Sequence, residues 1–380
     1  MAILGSRASQ SGRAPGAPTS VSATAGNAQA VVSFTAPTYT GKSGTVTYTA
    51  TSSPGNFTAS GNSSPLTVTG LSNGTSYTFT VRASVNGVNG SASGASAGVT
   101  PVAPLTVTGG TLTSDATYYY RTFTANGTLG ISNASLVADY VIVGGGGNGT
   151  SGALYEVELP SFHYEYRTGG GGGAGGVRQF TNVTLSPANY SAVVGGSGSA
   201  STFNSQSAAS GGGGASNGGS GGGGYATFET RNYTASTVAA GTGNTPSTSP
   251  SQGNSGGAAV SGNGQQQRGG GGGGSGSAGA TGSSSGNGGS GTSNPLGLSW
   301  AVGGGGGGGS GIGGLTPGTA TSGGGNGRRG GGNGNAGTAN TGGGGGGVGI
   351  DDTGQVQFWA GGTGGSGVVH IRYTRAQVGG

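Results

Sequence analysis

The sequence predicts an all-β protein, in which a β-sandwich is followed by a small β-sheet that carries an array of polyglycine II helices. Three observations lead to this prediction. Short runs of alternating apolar and polar residues, typical of strands, fill the first third of the chain and return at its end. Glycine accounts for 100 of the 380 residues and is concentrated in separate runs. Hydrophobic residues make up only 30% of the chain, which is too little for one large globular core.

Residues 1–16 form the first segment and are rich in Ser, Gly and Arg. Ile3 and Leu4 make a small apolar cluster, and Arg7 and Arg13 add positive charge. A terminus of this composition would be flexible on its own, so an ordered one needs a partner that holds it. These four residues are therefore candidates for an anchor, and a frayed terminus is the alternative.

Residues 17–101 are predicted to form a β-sandwich, because short alternating runs are separated there by turn residues. Three strings closely resemble a fibronectin type III domain: Val31-Val32-Ser33-Phe34-Thr35-Ala36-Pro37, Gly70-Leu71-Ser72-Asn73-Gly74-Thr75-Ser76-Tyr77, and Val99-Thr100-Pro101. The resemblance implies a tyrosine corner at Tyr77. Phe34 lies in the strand where this family usually has its core Trp. The resemblance implies a spacer or an adhesive module rather than an enzyme.

Residues 102–143 are predicted to form strands that lead into a glycine-rich domain at residues 144–380. Their partner strands are distant in sequence, at 179–185, at 190–194 and at the closing strand 368–373. The glycine runs are therefore inserted between strands of one sheet.

The glycine runs determine the architecture of this second half. They lie at residues 144–147, 169–176, 211–214, 218–224, 269–274, 303–309, 323–332 and 342–347. A polyglycine II helix has three residues per turn, rises about 3.1 Å per residue and makes no internal hydrogen bonds. Its backbone groups need partners, which neighbouring helices can supply when no side chains separate the backbones. A flexible linker is the alternative. The runs recur and are joined to strands, which favours the ordered array.

Strings in this half resemble the glycine-rich domain of many phage and environmental virion proteins: Tyr140-Val141-Ile142-Val143 followed by four glycines, Ala192-Val193-Val194-Gly195-Gly196, and Gly367-Val368-Val369-His370-Ile371-Arg372-Tyr373. The succession of runs and loops also resembles the tail-fibre tip adhesins of T-even-like bacteriophages. That resemblance implies a polyglycine II sandwich whose loops select the bacterial receptor.

Chain direction predicts which segments lie at the end of the array away from the sheet. Strand 140–143 leads the first run outward, and run 169–176 returns to strand 179–185. Segment 150–168 should therefore lie at the far end, and the same argument places segment 348–360 there. A third segment, 225–233, has a similar composition, but chain direction leaves its end of the array open.

These three segments hold the candidate receptor-binding side chains, since aromatic rings with carboxylates suit carbohydrate or protein surfaces. The candidates are Tyr155, Glu156, Glu158, Phe162, His163, Tyr164, Tyr166, Phe228, Tyr233, Asp351, Asp352, Phe358 and Trp359. Two other interpretations stay open: the aromatic rings could cap the array as a small core, or they could contact a neighbouring subunit. Trp300 and His370 are expected to be structural.

The sequence favours neither an enzyme nor a protein that depends on a metal or a cofactor. There is no Cys, and Glu156 and Glu158 would lie on one face of an exposed hairpin rather than across a cleft. Asp351 and Asp352 offer too few oxygen ligands for Ca²⁺. The 13 basic residues are scattered, which disfavours nucleic acid as a partner. No apolar run is long enough to predict a membrane span.

Together, these features predict a virion appendage protein, either a tail fibre or a tail tip, that acts as a host-receptor adhesin. The expected partners are a host cell-surface glycan or an outer-membrane protein, and other virion proteins at the N-terminus. A homo-oligomer such as a trimer is compatible with the sequence. The first residues lack the apolar core of a signal peptide, which favours assembly in the host cytoplasm over export by a non-classical system. The alternative function is a structural appendage, such as a capsid decoration or a fibre subunit.

Overall fold

The computed structural model describes residues 13–41, 44–157, 163–230, 233–262, 266–311, 315–350 and 357–379. The chain divides into two compact units, Met1–Leu105 and Thr106–Gly380. Both are built from antiparallel strands, and the helical elements of the described residues are two short 3-10 helices, Pro295–Gly297 and Arg375–Val378. Neither of these helices is long and apolar enough to cross a bilayer. The prediction of an all-β fold is confirmed.

The first unit is a sandwich of two sheets. Its strands are β1 (Thr19–Gly26), β2 (Gln29–Thr35), β3 (Val46–Ser53), β4 (Thr58–Gly61), β5 (Leu66–Thr69), β6 (Thr78–Val85) and β7 (Val88–Ala92). One sheet has the order β1-β2-β5 and the other has the order β4-β3-β6-β7. Phe34 is buried between them, with its ring centroid 4.8 Å from that of Tyr48. The Ser72 N–H donates a hydrogen bond of 3.0 Å to Tyr77 Oη, which forms the expected tyrosine corner.

The second unit contains three five-stranded sheets. Its strands are β8 (Thr106–Thr108), β9 (Thr111–Ser114), β10 (Tyr118–Phe123), β11 (Gly127–Ser132), β12 (Leu136–Val143), β13 (Gly152–Val157), β14 (His163–Thr168), β15 (Val177–Leu185), β16 (Ala188–Val193), β17 (Ser201–Phe203), β18 (Gln206–Ala208), β19 (Tyr225–Glu229), β20 (Thr234–Val238), β21 (Gln357–Trp359) and β22 (Val368–Thr374).

Two of these sheets form the base of the unit, with the orders β15-β12-β22-β10-β9 and β18-β17-β16-β11-β8. They pack through aromatic rings. Tyr140 of β12 is almost fully buried, and its ring centroid lies 4.8 Å from that of Phe180 and 5.0 Å from that of Phe203. The last strand of the chain, β22, lies between β12 and β10, so the array is inserted within one sheet as the sequence predicts.

The glycine run at 169–176 shows how the array is held together. Its N–H groups donate to three neighbouring segments, and successive bonds to one segment are three residues apart. The bonds run from Gly171 and Ala174 to the carbonyls of Gly270 and Gly273, from Gly172 and Gly175 to those of Gly345 and Gly342, and from Gly173 and Gly176 to those of Gly212 and Ala209, at 2.7–3.0 Å. A period of three in the bonding partner is what a polyglycine II helix produces.

The carbonyl groups of the same run accept hydrogen bonds from three further segments. Gly144 and Gly147 donate to Gly176 and Gly173, Ser220 and Gly223 donate to Ala174 and Gly171, and Gly306 and Gly309 donate to Gly172 and Gly169. Six segments therefore surround one run, three of them as acceptors and three as donors. The array of polyglycine II helices predicted from the runs is present.

The segments of the array run in two opposite directions. Residues 144–150 pair with the run 169–176 in the antiparallel sense, whereas residues 269–274 run in the same direction as it does. Outgoing segments end in turns at the end away from the base, and returning segments lead back to it. The third sheet of the unit, described next, lies at the far end.

Candidate binding surface

The three candidate segments meet in one sheet at the far end of the array, called here the distal sheet. Its order is β20-β19-β14-β13-β21. In its register Leu154 lies opposite Tyr166, Ala153 lies opposite Phe358, and Tyr166 lies opposite Phe228. The described residues of segments 150–168 and 348–360 are thus at the end that chain direction predicts. The structure adds that residues 225–229 belong to the same sheet.

These strands form where glycine gives way to residues with side chains. β13 and β14 are each rich in β-branched, aromatic or long side chains, and glycine resumes directly after β14 at Gly169. A strand needs hydrogen-bonding partners only at its two sides, and the neighbouring chain segments at this end of the array supply them. The local sequence therefore determines where along the array the chain changes from a polyglycine II helix to a strand.

One set of side chains in the distal sheet is buried. Ala226, Phe228 and Thr168 belong to it, and Phe228 has an exposed fraction of only 4%. The ring centroid of the half-buried Tyr166 lies 6.5 Å from that of Phe228 on the neighbouring strand. Of the predicted site residues, Phe228 is therefore buried and Tyr166 packs beside it.

A second set of side chains is turned towards solvent. Phe358 is 67% exposed and Tyr233 is 82% exposed, whereas Trp359 is half-buried. The guanidinium of Arg167 lies 4.0 Å from the ring centroid of Tyr225, which holds both side chains against the sheet. Phe358 lies in β21 and Tyr233 lies in the turn before β20, so the two exposed rings offer aromatic contact surface at this end of the array.

Acidic residues are also concentrated in the sequence of the three candidate segments. Six of the eight acidic residues of the chain lie in the three segments, namely Glu156, Glu158, Glu165, Glu229, Asp351 and Asp352. Glu165 of β14 lies directly opposite Glu229 of β19. Two carboxylates therefore occupy neighbouring strands of the distal sheet at the same level.

The remaining predicted residues are placed as follows. Tyr155 lies opposite Glu165 in the strand register, Glu156 lies opposite Tyr164, and Val157 lies opposite His163. Glu158, Phe162, Asp351 and Asp352 lie outside the described residues, as do Ile3, Leu4 and Arg7 of the predicted anchor. The guanidinium of Arg13 lies 4.9 Å from the ring centroid of Tyr39.

Comparison with known proteins gives two family matches. The model of the glycine-rich domain matches residues 122–374, and the model of the fibronectin type III domain matches residues 16–99. No curated protein matches the chain. Among solved structures, the chain is similar to "Titin kinase and its flanking domains", with 10% identity and a TM-score of 0.21, over 48% of this chain and 30% of that chain. The chain therefore spans less than a third of that structure's length.

Proposed function

The chain belongs to the glycine-rich domain family and carries a fibronectin type III domain, and from this premise we propose that it is a virion appendage protein that binds a host receptor through its distal sheet. Both domains are those of a structural or adhesive protein. The proposed appendage is a tail fibre or tail tip of a bacteriophage. The observation that carries the proposal is that the exposed ring of Phe358 in β21 and the exposed ring of Tyr233 just before β20 belong to one end of the array, where the strands of the distal sheet also carry Glu156, Glu165 and Glu229.

The chemistry of this surface suits a glycan or an outer-membrane protein on the host cell. The exposed rings of Phe358 and Tyr233 can pack on the apolar face of a sugar or on an apolar side chain. Carboxylates beside them can accept hydrogen bonds that fix the orientation of the ligand. The array places these groups on a frame of backbone hydrogen bonds, which limits the motion of the surface.

The other parts of the chain take supporting roles in this proposal. The fibronectin type III domain acts as a spacer, and the N-terminal residues Ile3, Leu4, Arg7 and Arg13 attach the chain to other virion proteins. The particle is assembled in the host cytoplasm and acts outside the cell. A homo-oligomer such as a trimer is compatible with this role.

A structural appendage is the second candidate function, and the edge of the distal sheet favours it. All five residues of β20 are exposed, and β20 is the last strand in the order of this sheet. An exposed edge strand has unpaired backbone groups that another chain can extend. In this case the surface would join neighbouring subunits of a fibre or a capsid decoration.

Binding of the purified chain to a panel of bacterial cells and extracted surface glycans separates the two functions. The test variant replaces Tyr233 and Phe358 by Ser, and the matched control is Val102→Ser, which changes an exposed apolar residue of the first unit. We expect saturable binding by the wild type and the control, and loss of binding in the folded double variant. Self-association of the intact chain without binding to any cell or glycan would favour the structural appendage instead.

A further inference from the structure

A cleft of about 520 Å³ opens in the base of the glycine-rich unit, at the opposite end of the array from the distal sheet. Its floor is formed by β9, β10 and β22 on the face turned away from the second base sheet. One wall is the segment 297–300, which begins at the last residue of the first 3-10 helix. The volume lies within the range of small-molecule sites. The sequence does not indicate this cleft, because its walls come from three distant parts of the chain.

The floor of the cleft is rich in threonine. Thr111 and Thr113 of the edge strand β9 are exposed, and Thr122 of β10 lies opposite Thr111 in the register. Thr124, just beyond β10, also lines the cleft. Each threonine side chain offers a methyl group and a hydroxyl group that can donate and accept. Such a floor suits a ligand that is itself apolar on one face and rich in hydroxyls at its rim.

The aromatic ring of Trp300 lies at the edge of this floor, and its orientation is fixed. The indole N–H of Trp300 donates to the carbonyl of Asn340 at 3.1 Å, and the side chain is still 36% exposed. Since the polar group of the ring is satisfied, the open part of the ring is an apolar platform. On the floor, the ring of Tyr120 stacks on that of His370 with centroids 5.4 Å apart.

A buried histidine forms part of the same cleft. His370 is only 3% exposed, and its Nδ1 shares a hydrogen bond of 2.8 Å with the hydroxyl of Thr122. On the other side of the ring, the Leu296 carbonyl faces the imidazole. The chain itself therefore holds the ring in place, and the ring forms a fixed part of the cleft floor.

The charge of the cleft disfavours anionic ligands. Among the described residues that line it, Asp115 carries the charge. Its Oδ1 accepts from the N–H groups of Thr117 and Tyr118 at 2.7 Å each, and its Oδ2 accepts from Tyr120 Oη at 2.6 Å, so the carboxylate is held in place by the chain. An anionic ligand would be repelled by this carboxylate.

We propose that this cleft binds a neutral saccharide, with one sugar ring packed on Trp300 and its hydroxyls bonded to the threonines of β9 and β10. The site is separate from the distal sheet, so it does not depend on the function proposed for that sheet. A glycan held at the base would keep the chain against a polysaccharide layer while the distal sheet contacts its own partner.

Tryptophan fluorescence can test the proposal directly, because the chain has only two tryptophans. In a full-length Trp359→Phe variant, the emission reports on Trp300 alone. We expect neutral mono- and disaccharides, such as glucose, galactose, maltose and lactose, to produce a saturable change in this emission. Tighter binding of the disaccharides than of the monosaccharides would indicate that the natural ligand is a polysaccharide.

Removing two hydroxyls tests whether the threonines bind the sugar. Thr111→Val with Thr113→Val keeps the shape of an exposed edge strand, and we expect roughly tenfold weaker binding from the loss of two hydrogen bonds. Thr128→Val, an exposed threonine of β11 on the other base sheet, is the matched control and should bind as the parent does. The absence of a saturable response to any neutral sugar, or tighter binding of glucuronate, would overturn the proposal. The Tyr233→Ser and Phe358→Ser variant should bind normally here, which keeps the two sites distinguishable.

Discussion

At the scale of single residues, His370 makes the stability of the glycine-rich unit depend on pH. Burial lowers the pKa of its imidazole to about 4, with the positive charge of Arg372 acting in the same direction and the Leu296 carbonyl opposing it. In the unfolded chain the pKa of His is near 6.5. The unfolded chain therefore takes up a proton as the pH falls below that value, while the folded chain remains neutral until about pH 4.

The first prediction follows from this difference in proton uptake. The free energy of unfolding of the wild type should fall by about 3 kcal/mol between pH 7.5 and pH 4 relative to a His370→Asn variant, which can still bond Thr122 but cannot be protonated. Urea unfolding followed by tryptophan fluorescence at several pH values measures this difference. Because His163 is present in both proteins, its titration cancels in the comparison. Parallel pH profiles would contradict the prediction.

The tyrosine corner gives a second prediction for a single atom. Tyr77→Phe removes the hydroxyl that accepts from the Ser72 N–H in a partly buried corner of the first unit, and the loss of this hydrogen bond should cost roughly 0.5–1.5 kcal/mol. Amide hydrogen exchange of the full chain should show faster exchange in β3 and β6 and unchanged exchange in residues 122–374. Tyr39→Phe, with a half-buried ring in the same unit, serves as the control. Equal exchange in the two variants would show that the corner contributes nothing measurable.

At the scale of elements, the array depends on the absence of side chains at particular positions. A Cβ added at Gly172 would overlap the carbonyl oxygen of Gly147, whereas a Cβ added at Gly196 would meet nothing within 4 Å. We expect Gly172→Ala to destabilise the unit by at least about 3 kcal/mol, because the neighbouring backbones must move apart. Gly196→Ala, the matched control, should unfold as the wild type does. Thermal unfolding of the two variants measures the contrast, and equal midpoints would exclude close packing of the runs.

The sequence could predict the ends of the array because strands fix the direction of the runs beside them. Strand β12 and the run before β15 determine where residues 150–168 lie. Residues 225–229 could not be placed in this way, since the run before them follows another run through a short turn rather than a strand. The sequence also did not predict β17 and β18, because strands of three residues that are rich in Ser and Gln show no alternation of apolar and polar residues.

The sequence also could not predict which side chains of the distal sheet are buried and which are exposed. Phe228 and Phe358 are alike in type and in local composition, yet one is buried and the other is exposed. The register between strands that are distant in sequence decides which of the two faces solvent. That register is set by glycine runs, which carry no side-chain pattern from which it could be inferred.

At the scale of the whole glycine-rich unit, the cleft in the base and the distal sheet are held apart by the array. The run 169–176 spans roughly 22 Å at the usual rise of about 3.1 Å per residue. Substitutions in the exposed part of the distal sheet therefore lie far from the base. The strand β22 returns to lie beside β10, and this pairing brings together Trp300, Tyr120 and His370. Because these residues are far apart in the sequence, their positions there suggest only a structural role.

The ring of six segments around one glycine run has a thermodynamic consequence. Unfolding the array would hydrate many amide groups and few apolar side chains, and these two kinds of surface change the heat capacity in opposite directions. Scanning calorimetry of the chain should give a heat-capacity increment well below the usual value of about 12–15 cal/mol/K per residue. An ordinary increment would mean that apolar burial dominates after all. A small increment flattens the curve of stability against temperature, so the protein would keep its shape in cold and warm surroundings alike.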